Sequence, residues 1–515
     1  MLSARKYDVC IVGSGVAGAM VAARLAGTGA KILMLEAGKH FDRSTRFEQL
    51  RSHEILRTPL WPWVSEKRDG YVDTSAPEIG YTYTLNDSRV RAVGGSTLVW
   101  GGLINRFRET DFHSASSYGM GWDWPISYAD LEPYYCDAEA EIGVAGQQNP
   151  GDPPRSRELP MPKWPPKYGE DAWFRVAEKM GFDIGLANHA RNSTPYGNRP
   201  ACAAISVCPV CPIGARYSAD YHVDRLVADN LVELAVETVA RRIVTNDRGH
   251  VETLLATDLD GTDHEIRADQ YVIAAHTVET ARLLLLSDVG NESDQVGRNL
   301  MEHWYTGAGG YIDDQVFPNR IGFETLECNH WYDGPDREVR GAIKLSFIDD
   351  RDPLMYRDGR VGTDLAEKNC REFGHWVGAA AEIEHQPNPD SRVTLSESQT
   401  DQFGDPVPVV KFALSDVDRR THETALEVTT MLAEARGCRD VASIGSYHRA
   451  HHHMGTCRMS SDPALGVVDA DCKVHAVDNL YLAGASVFPT GGGRQPTLTV
   501  AALGLRLGEH LASLR

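Results

Sequence analysis

The chain has 515 residues, 42% of them hydrophobic, which is material for a large core and for two or three domains. Its formal net charge of -20 disfavours nucleic-acid phosphates, whose recognition needs a basic face, so nucleic-acid partners are discounted. No run of eighteen apolar residues occurs, and MLSARKYDVCIVGSG passes directly into a strand pattern, so neither a membrane span nor a signal peptide is expected.

Residues 7–36, YDVCIVGSGVAGAMVAARLAGTGAKILMLE, give an apolar run, a glycine turn, an alanine-rich helical stretch and a second strand ending in an acid. That is a βαβ opening. Gly13, Gly15 and Gly18 form G-x-G-x-x-G between strand and helix. The first permits a tight turn, the second lets a backbone approach a pyrophosphate, and the third lets helix pack on strand. Glu36 closes the second strand, where its carboxylate can accept hydrogen bonds from a ribose diol and disfavours a 2′-phosphate. The motif predicts a bound dinucleotide without separating FAD from NAD.

From about 40 to 90, and again from about 145 to 170, where NPGDPPRSRELPMPKWPP recurs to proline, the pattern reads as excursions and connectors. Three of the ten cysteines, Cys202, Cys208 and Cys211, lie within ten residues in the spacing C-x5-C-x2-C, and thiolates so placed could ligate an iron-sulfur cluster. The other seven are scattered singly, as small buried residues are. The stretch 231–276 is β-rich, followed by a helical ETARLLLLSD, and looks like a return to a nucleotide-binding domain. Between about 305 and 440, GAIKLSFI, HWVGAAAEIEH, SRVTLSES and VPVVKFAL predict an antiparallel sheet, with a helix near 418–436.

Residues 448–459 read HRAHHHMGTCRM, four histidines within six positions. No H-E-x-x-H and no well-spaced carboxylate accompanies them, which argues against a metal site. Neighbouring residues on an extended segment face opposite ways, so the consecutive histidines cannot share one catalytic centre.

The closing segments HHMGTCRM (452–459) and NLYLAGASVFPTGGGRQPTLTVAALGLRLGEHL (479–511) resemble the end of the glucose-methanol-choline (GMC) oxidoreductases. AVGGSTLVWGG (92–102), AAHTVETARLLLLSD (274–288) and VGRNLMEH (296–303) match further motifs in the family's order. The resemblance implies an α/β fold: a discontinuous Rossmann-like FAD-binding domain, here 1–45, 85–110, 198–304 and 441–515. A substrate domain with an antiparallel sheet would take 46–84, 111–197 and 305–440.

Carried residue by residue, the resemblance implies that Gly13, Gly15, Gly18 and Glu36 hold the ADP half of FAD. Gly94, Gly95 and Ser96 would line the flavin, and Val239 would offer backbone contacts to adenine. Gly484, Ala485 and Thr497 would pass near the isoalloxazine and pyrophosphate. Where pyranose-oxidase relatives link flavin to a histidine, Val99 stands before Trp100, so no covalent flavin is carried over at that position.

Oxidising an alcohol leaves an oxygen that must shed a proton, and histidine is the commonest base near pH 7. The family's base lies three residues before the glycine of its G-T motif, which is His452; His448, His451 and His453 are read as packing or solvent-facing residues. Its second position, usually histidine or asparagine, is Gln495 here, whose extra methylene displaces the donor. Bacterial FAD-dependent sugar dehydrogenases, which the cysteine stretch resembles, carry an iron-sulfur cluster there. They begin it with adjacent cysteines, whereas Ala201 precedes Cys202 here, so one implied ligand is absent.

The expected activity is oxidation of a sugar, glycoside or polyol CH–OH to a carbonyl, with electrons passing to an acceptor subunit or cytochrome. An oxygen-using oxidase and a flavin-bound lyase without net redox are the alternatives. The cytoplasm is the default location, with the periplasm reached through an exported partner subunit.

Overall fold

The structure is a computed structural model and describes residues 5–42, 48, 69–75, 85–203, 211–316, 325–349, 359–445 and 448–515. The run KYDVCIV forms the strand Lys6–Val12, buried except at Lys6 and Asp8, and ILML forms the wholly buried strand Ile32–Leu35. Continuous apolar runs of this kind suit a parallel sheet covered on both faces. Five strands lie parallel in the order Val232–Ala235, Ile32–Leu35, Lys6–Val12, Asp263–Ile273 and Leu480–Leu482. The strand Asp263–Ile273 serves two neighbourhoods. Its residues 263–266 pair antiparallel with Val251–Asp258, which pairs in turn with Thr238–Thr245.

The helix Val16–Ala26 covers one face of this sheet, and the closing helix Thr497–Ser513 lies along it. Small residues permit that approach: a Cβ on Gly504 would stand 3.0 Å from the Ala17 carbonyl oxygen, and one on Gly508 2.9 Å from that of Val21. The last helix of the chain is thereby packed on the first.

A second sheet is antiparallel and built from Trp304–Tyr311, Leu326–Cys328, Ile343–Ile348 and Trp376–Ile383, with Gly185–Leu186 at one edge. The helix Asp416–Ala435 packs across it, started by Ser415, whose hydroxyl accepts from the Asp418 amide. Its other edge comes from Arg439–Ser443, which crosses residue 440, where the sequence reading ends the substrate domain, and from His448–Arg449 beyond it. Glycines explain the fit: a Cβ on Gly310 would stand 2.3 Å from the Arg439 carbonyl oxygen, so only a bare strand admits that neighbour.

Two of the four segments expected in this sheet lie elsewhere. SRVTLSES and VPVVKFAL form the hairpin Arg392–Thr400 and Pro406–Lys411, which makes a separate three-stranded sheet with Val72–Asp73 against the helix Thr277–Ser287. The hairpin is tied there by backbone: Val393 donates to the Gly297 carbonyl at 2.7 Å, and Leu300 to that of Ser391 at 2.9 Å.

Candidate active site

A cavity of about 770 Å³ opens at the carboxyl ends of the parallel strands, lined there by Val12, Leu35, Ala274 and Ala483. Open α/β sheets bind ligands at this end. Gly13 turns with φ +103°, and a Cβ there would stand 2.4 Å from the Ala274 carbonyl oxygen; a Cβ on Gly18 would stand 2.1 Å from that of Gly13. Gly15 differs, because its missing Cβ would meet only Gly95 Cα at 3.9 Å and would otherwise project into free space. Gly15 and Gly95 therefore give one wall of the cavity a bare backbone.

Gly13, Gly15, Glu36, Gly95, Ser96 and Val239 line the cavity, as do Gly484, Ala485 and Thr497 from the closing segment. Gly18 and Gly94 stand behind the wall rather than on it. The buried Glu36 carboxylate accepts from the Ser14 hydroxyl at 2.6 Å, the Ser14 amide at 3.2 Å and the Gly38 amide at 2.9 Å. These bonds hold it at the end of the strand with lone-pair capacity left for a diol.

At the other end the cavity reaches His452, Gln495, Glu382, Tyr305 and Ser346. Met301 and Met454 exchange backbone hydrogen bonds at 2.9 and 3.0 Å, clamping the histidine loop to the segment NLMEH. Gly455 makes the clamp possible, since a Cβ there would stand 2.1 Å from the Asn299 carbonyl oxygen. Glu302 Oε1 accepts from the backbone amides of both His452, at 2.5 Å, and His303, at 2.9 Å.

The His452 side chain is 19% exposed. Its Nδ1 lies 3.0 Å from His303 Nδ1 and 3.9 Å from Glu382 Oε1, while its Nε2 has no hydrogen-bond partner among the described residues. Burial lowers its affinity for a proton, and the Glu382 carboxylate opposes that effect. Its imidazole is therefore neutral near pH 7 and able to accept a proton.

Gln495 donates from Nε2 to Glu382 Oε2 at 2.6 Å and accepts from Asn105 Nδ2 at 3.0 Å. One of its two amide hydrogens is left for a ligand. Lys344 stands directly across from Glu382 in the antiparallel sheet, with Nζ 3.1 Å from Oε2, and both are buried. Lys344 helps hold the Glu382 carboxyl below the ordinary carboxylate range against the opposing effect of burial.

The remaining histidines have other surroundings. His453 is buried, with Nε2 3.6 Å from Glu302 Oε2, and burial pushes its imidazole down to about 3. His451 is exposed at the cavity rim with φ +63°, and His448 pairs through its backbone with Tyr305. Cys202 and Cys211 are both partly exposed, and Cys208 lies outside the described residues. Among the described residues no three His, Cys, Asp or Glu side chains are arranged to hold a metal ion.

Sequence reasoning assigned no role to Glu382, Lys344, Asn105 or His303. A signal for Glu382 was present: it is the one acid in the strand WVGAAAEI, every residue of which is buried. Arg89, Arg91 and Arg282 also line the cavity, tied to Glu279 and Asp401; Arg91 reaches Glu279 at 3.0 Å and Arg282 reaches Asp401 at 2.7 Å.

Residues 8–305 and 387–504 match the two models of the GMC oxidoreductases. The chain belongs to the GMC oxidoreductase family. It is 30% identical to the fructose dehydrogenase large subunit of Gluconobacter japonicus over 98% of this chain and 97% of that one. It is 31% identical to the 6'''-hydroxyparomomycin C oxidase of Streptomyces lividus over 99% and 92%. Among solved structures, pyridoxine 4-oxidase from Mesorbium loti shares the fold with a TM-score of 0.68 at 19% identity, over 98% of this chain and 99% of that one. GMC oxidoreductases bind FAD and act on CH–OH groups of sugars and alcohols. The bare backbone at Gly15 and Gly95, the carboxylate of Glu36 and the length of one cavity from Glu36 to His452 fit that cofactor. No helix among the described residues is long and apolar enough to cross a membrane.

Proposed function

We propose that this GMC oxidoreductase oxidises a CH–OH group of a sugar, glycoside or polyol to a carbonyl and passes the electrons to an acceptor other than oxygen. The FAD, when bound, supplies a hydride acceptor at N5. His452 takes the hydroxyl proton at Nε2, and the free amide hydrogen of Gln495 orients the same oxygen. Glu382, fixed by Lys344, faces the positive charge that His452 acquires.

The observation that supports this reading most directly is a neutral imidazole with an unengaged Nε2 on a cavity that also ends at the Gly13–Gly15 turn. The choice of a non-oxygen acceptor rests on similarity to a fructose dehydrogenase large subunit, which also suggests a partner subunit, and on the cysteine loop 202–211. The oxidase reading is favoured by the comparable identity to 6'''-hydroxyparomomycin C oxidase.

Anaerobic absorbance of the holoenzyme with a sugar and alcohol panel tests the reading. Bleaching of the flavin by a polyol, lost in His452→Ala, is expected; a flavin that no alcohol bleaches sinks it and favours a lyase. Dye reduction outpacing peroxide formation is expected of a dehydrogenase, and the same spectrum reports any iron-sulfur absorbance. We infer a cytoplasmic location unless a partner subunit exports the complex, which cell fractionation decides.

A further inference from the structure

The ring of His303 is wholly buried between two partners. Its Nε2 lies 2.8 Å from the Gly492 carbonyl oxygen and 3.3 Å from that of Gly491. A carbonyl oxygen only accepts, so Nε2 carries a proton. Burial pushes the His303 imidazole below its ordinary value, so the ring is neutral and its Nδ1 is bare. That bare nitrogen faces His452 Nδ1 at 3.0 Å, and a contact of this length needs one proton between the two nitrogens. His452 must supply it.

We infer that His303 is a positioning residue that sets the tautomer of His452: with Nδ1 protonated toward His303, the lone pair of His452 is confined to Nε2, on the cavity side. The chain of donors runs one way, from His452 Nδ1–H to His303 Nδ1 and from His303 Nε2–H to the glycine carbonyls. Were the His452 proton on Nε2 instead, two bare nitrogens would face each other at Nδ1 and the cavity would meet a donor with no capacity to accept. When the substrate hydroxyl gives its proton to Nε2, the imidazolium formed keeps its Nδ1–H bond to His303, which strengthens as the donor becomes charged. The Glu382 carboxylate at 3.9 Å faces the same charge.

Two other features make this arrangement depend on the tertiary fold. Glu302 binds the backbone amides of both histidines, so the two rings keep a fixed offset. Gly491 has no room for a side chain, since a Cβ there would stand 2.6 Å from Met454 Cε and 3.6 Å from His303 Nε2. The bare turn Gly491–Gly493 therefore brings its carbonyls to the ring.

The inference rests on His452 being the base, and the test keeps the two apart. Steady-state kinetics of FAD-loaded enzyme compare His303→Leu, which has no acceptor, with His303→Asn, whose carboxamide can donate to Gly492 and accept from His452. His303→Leu is expected to lose about 100-fold in kcat with KM and flavin content little changed, and His303→Asn to keep kcat within about tenfold of the wild type. Equal losses in both variants with full flavin content, or an unchanged kcat in His303→Leu, overturn the inference. If His303→Leu does not fold, nitrogen NMR of histidine-labelled wild-type enzyme, assigned by difference from His452→Ala, decides the point. A protonated Nδ1 and a bare Nε2 on His452 are expected; the reverse overturns it. Full turnover by His452→Ala would instead bring down the proposed function.

Discussion

Gln495 donates to Glu382 at 2.6 Å, so the residue taken from the closing segment and the acid from the antiparallel sheet form one buried unit. Asn105 completes it by donating to Gln495 Oε1. Gln495→Leu leaves both neighbours one partner short, at about 1–3 kcal/mol for each. Thermal melting is expected to show that loss together with lower kcat/KM. A variant with wild-type stability and turnover would show that the carboxamide is idle.

Lys344 is buried directly across from Glu382, and Glu327 lies 4.0 Å from the same Nζ. Lys344→Met removes the cation that faces both acids and is expected to cost about 3–5 kcal/mol, the usual result of leaving a buried charge unpaired. Lys344→Met with Glu382→Gln should recover part of the loss. Chemical denaturation of the two variants measures it, and additive losses would count against the pairing.

The pH dependence follows from His452. Its proton affinity is lowered by burial, so the neutral, active form persists below the ordinary histidine value of about 6.5. Turnover is expected to stay level as pH falls through 6.5 and to drop only in more acid solution. Glu382 favours the protonated ring, so Glu382→Gln moves that drop to still lower pH. An acid limb centred above 6.5, or one moved upward by Glu382→Gln, would contradict the assigned environment.

The glycines of the first turn separate binding from folding. Gly18→Ala places a methyl against the Gly13 carbonyl oxygen and is expected to cost about 1–3 kcal/mol in the apoprotein. Gly15 has φ -68° and ψ -176°, which alanine adopts freely, so Gly15→Ala should leave apoprotein stability unchanged or raise it by about 0.4–1 kcal/mol. Its methyl enters the cavity, and FAD affinity should fall. Flavin titration and melting of the two apoproteins check both halves.

The sequence by itself determined the βαβ opening and the glycine turn, because these depend on local rules: an apolar period and a glycine where a side chain has no room. His452 was singled out by the offset from Gly455 that the family resemblance implies. The count of four histidines carried no such information. Contacts between distant segments were decided by the tertiary structure alone. Lys344 and Glu382 are 38 residues apart and meet through strand register, while His303 and His452 are 149 residues apart and meet through the clamp at Met301 and Met454. A strand pattern states that a residue is buried but not which neighbour it is buried against, and the protonation state of His452 depends on that neighbour.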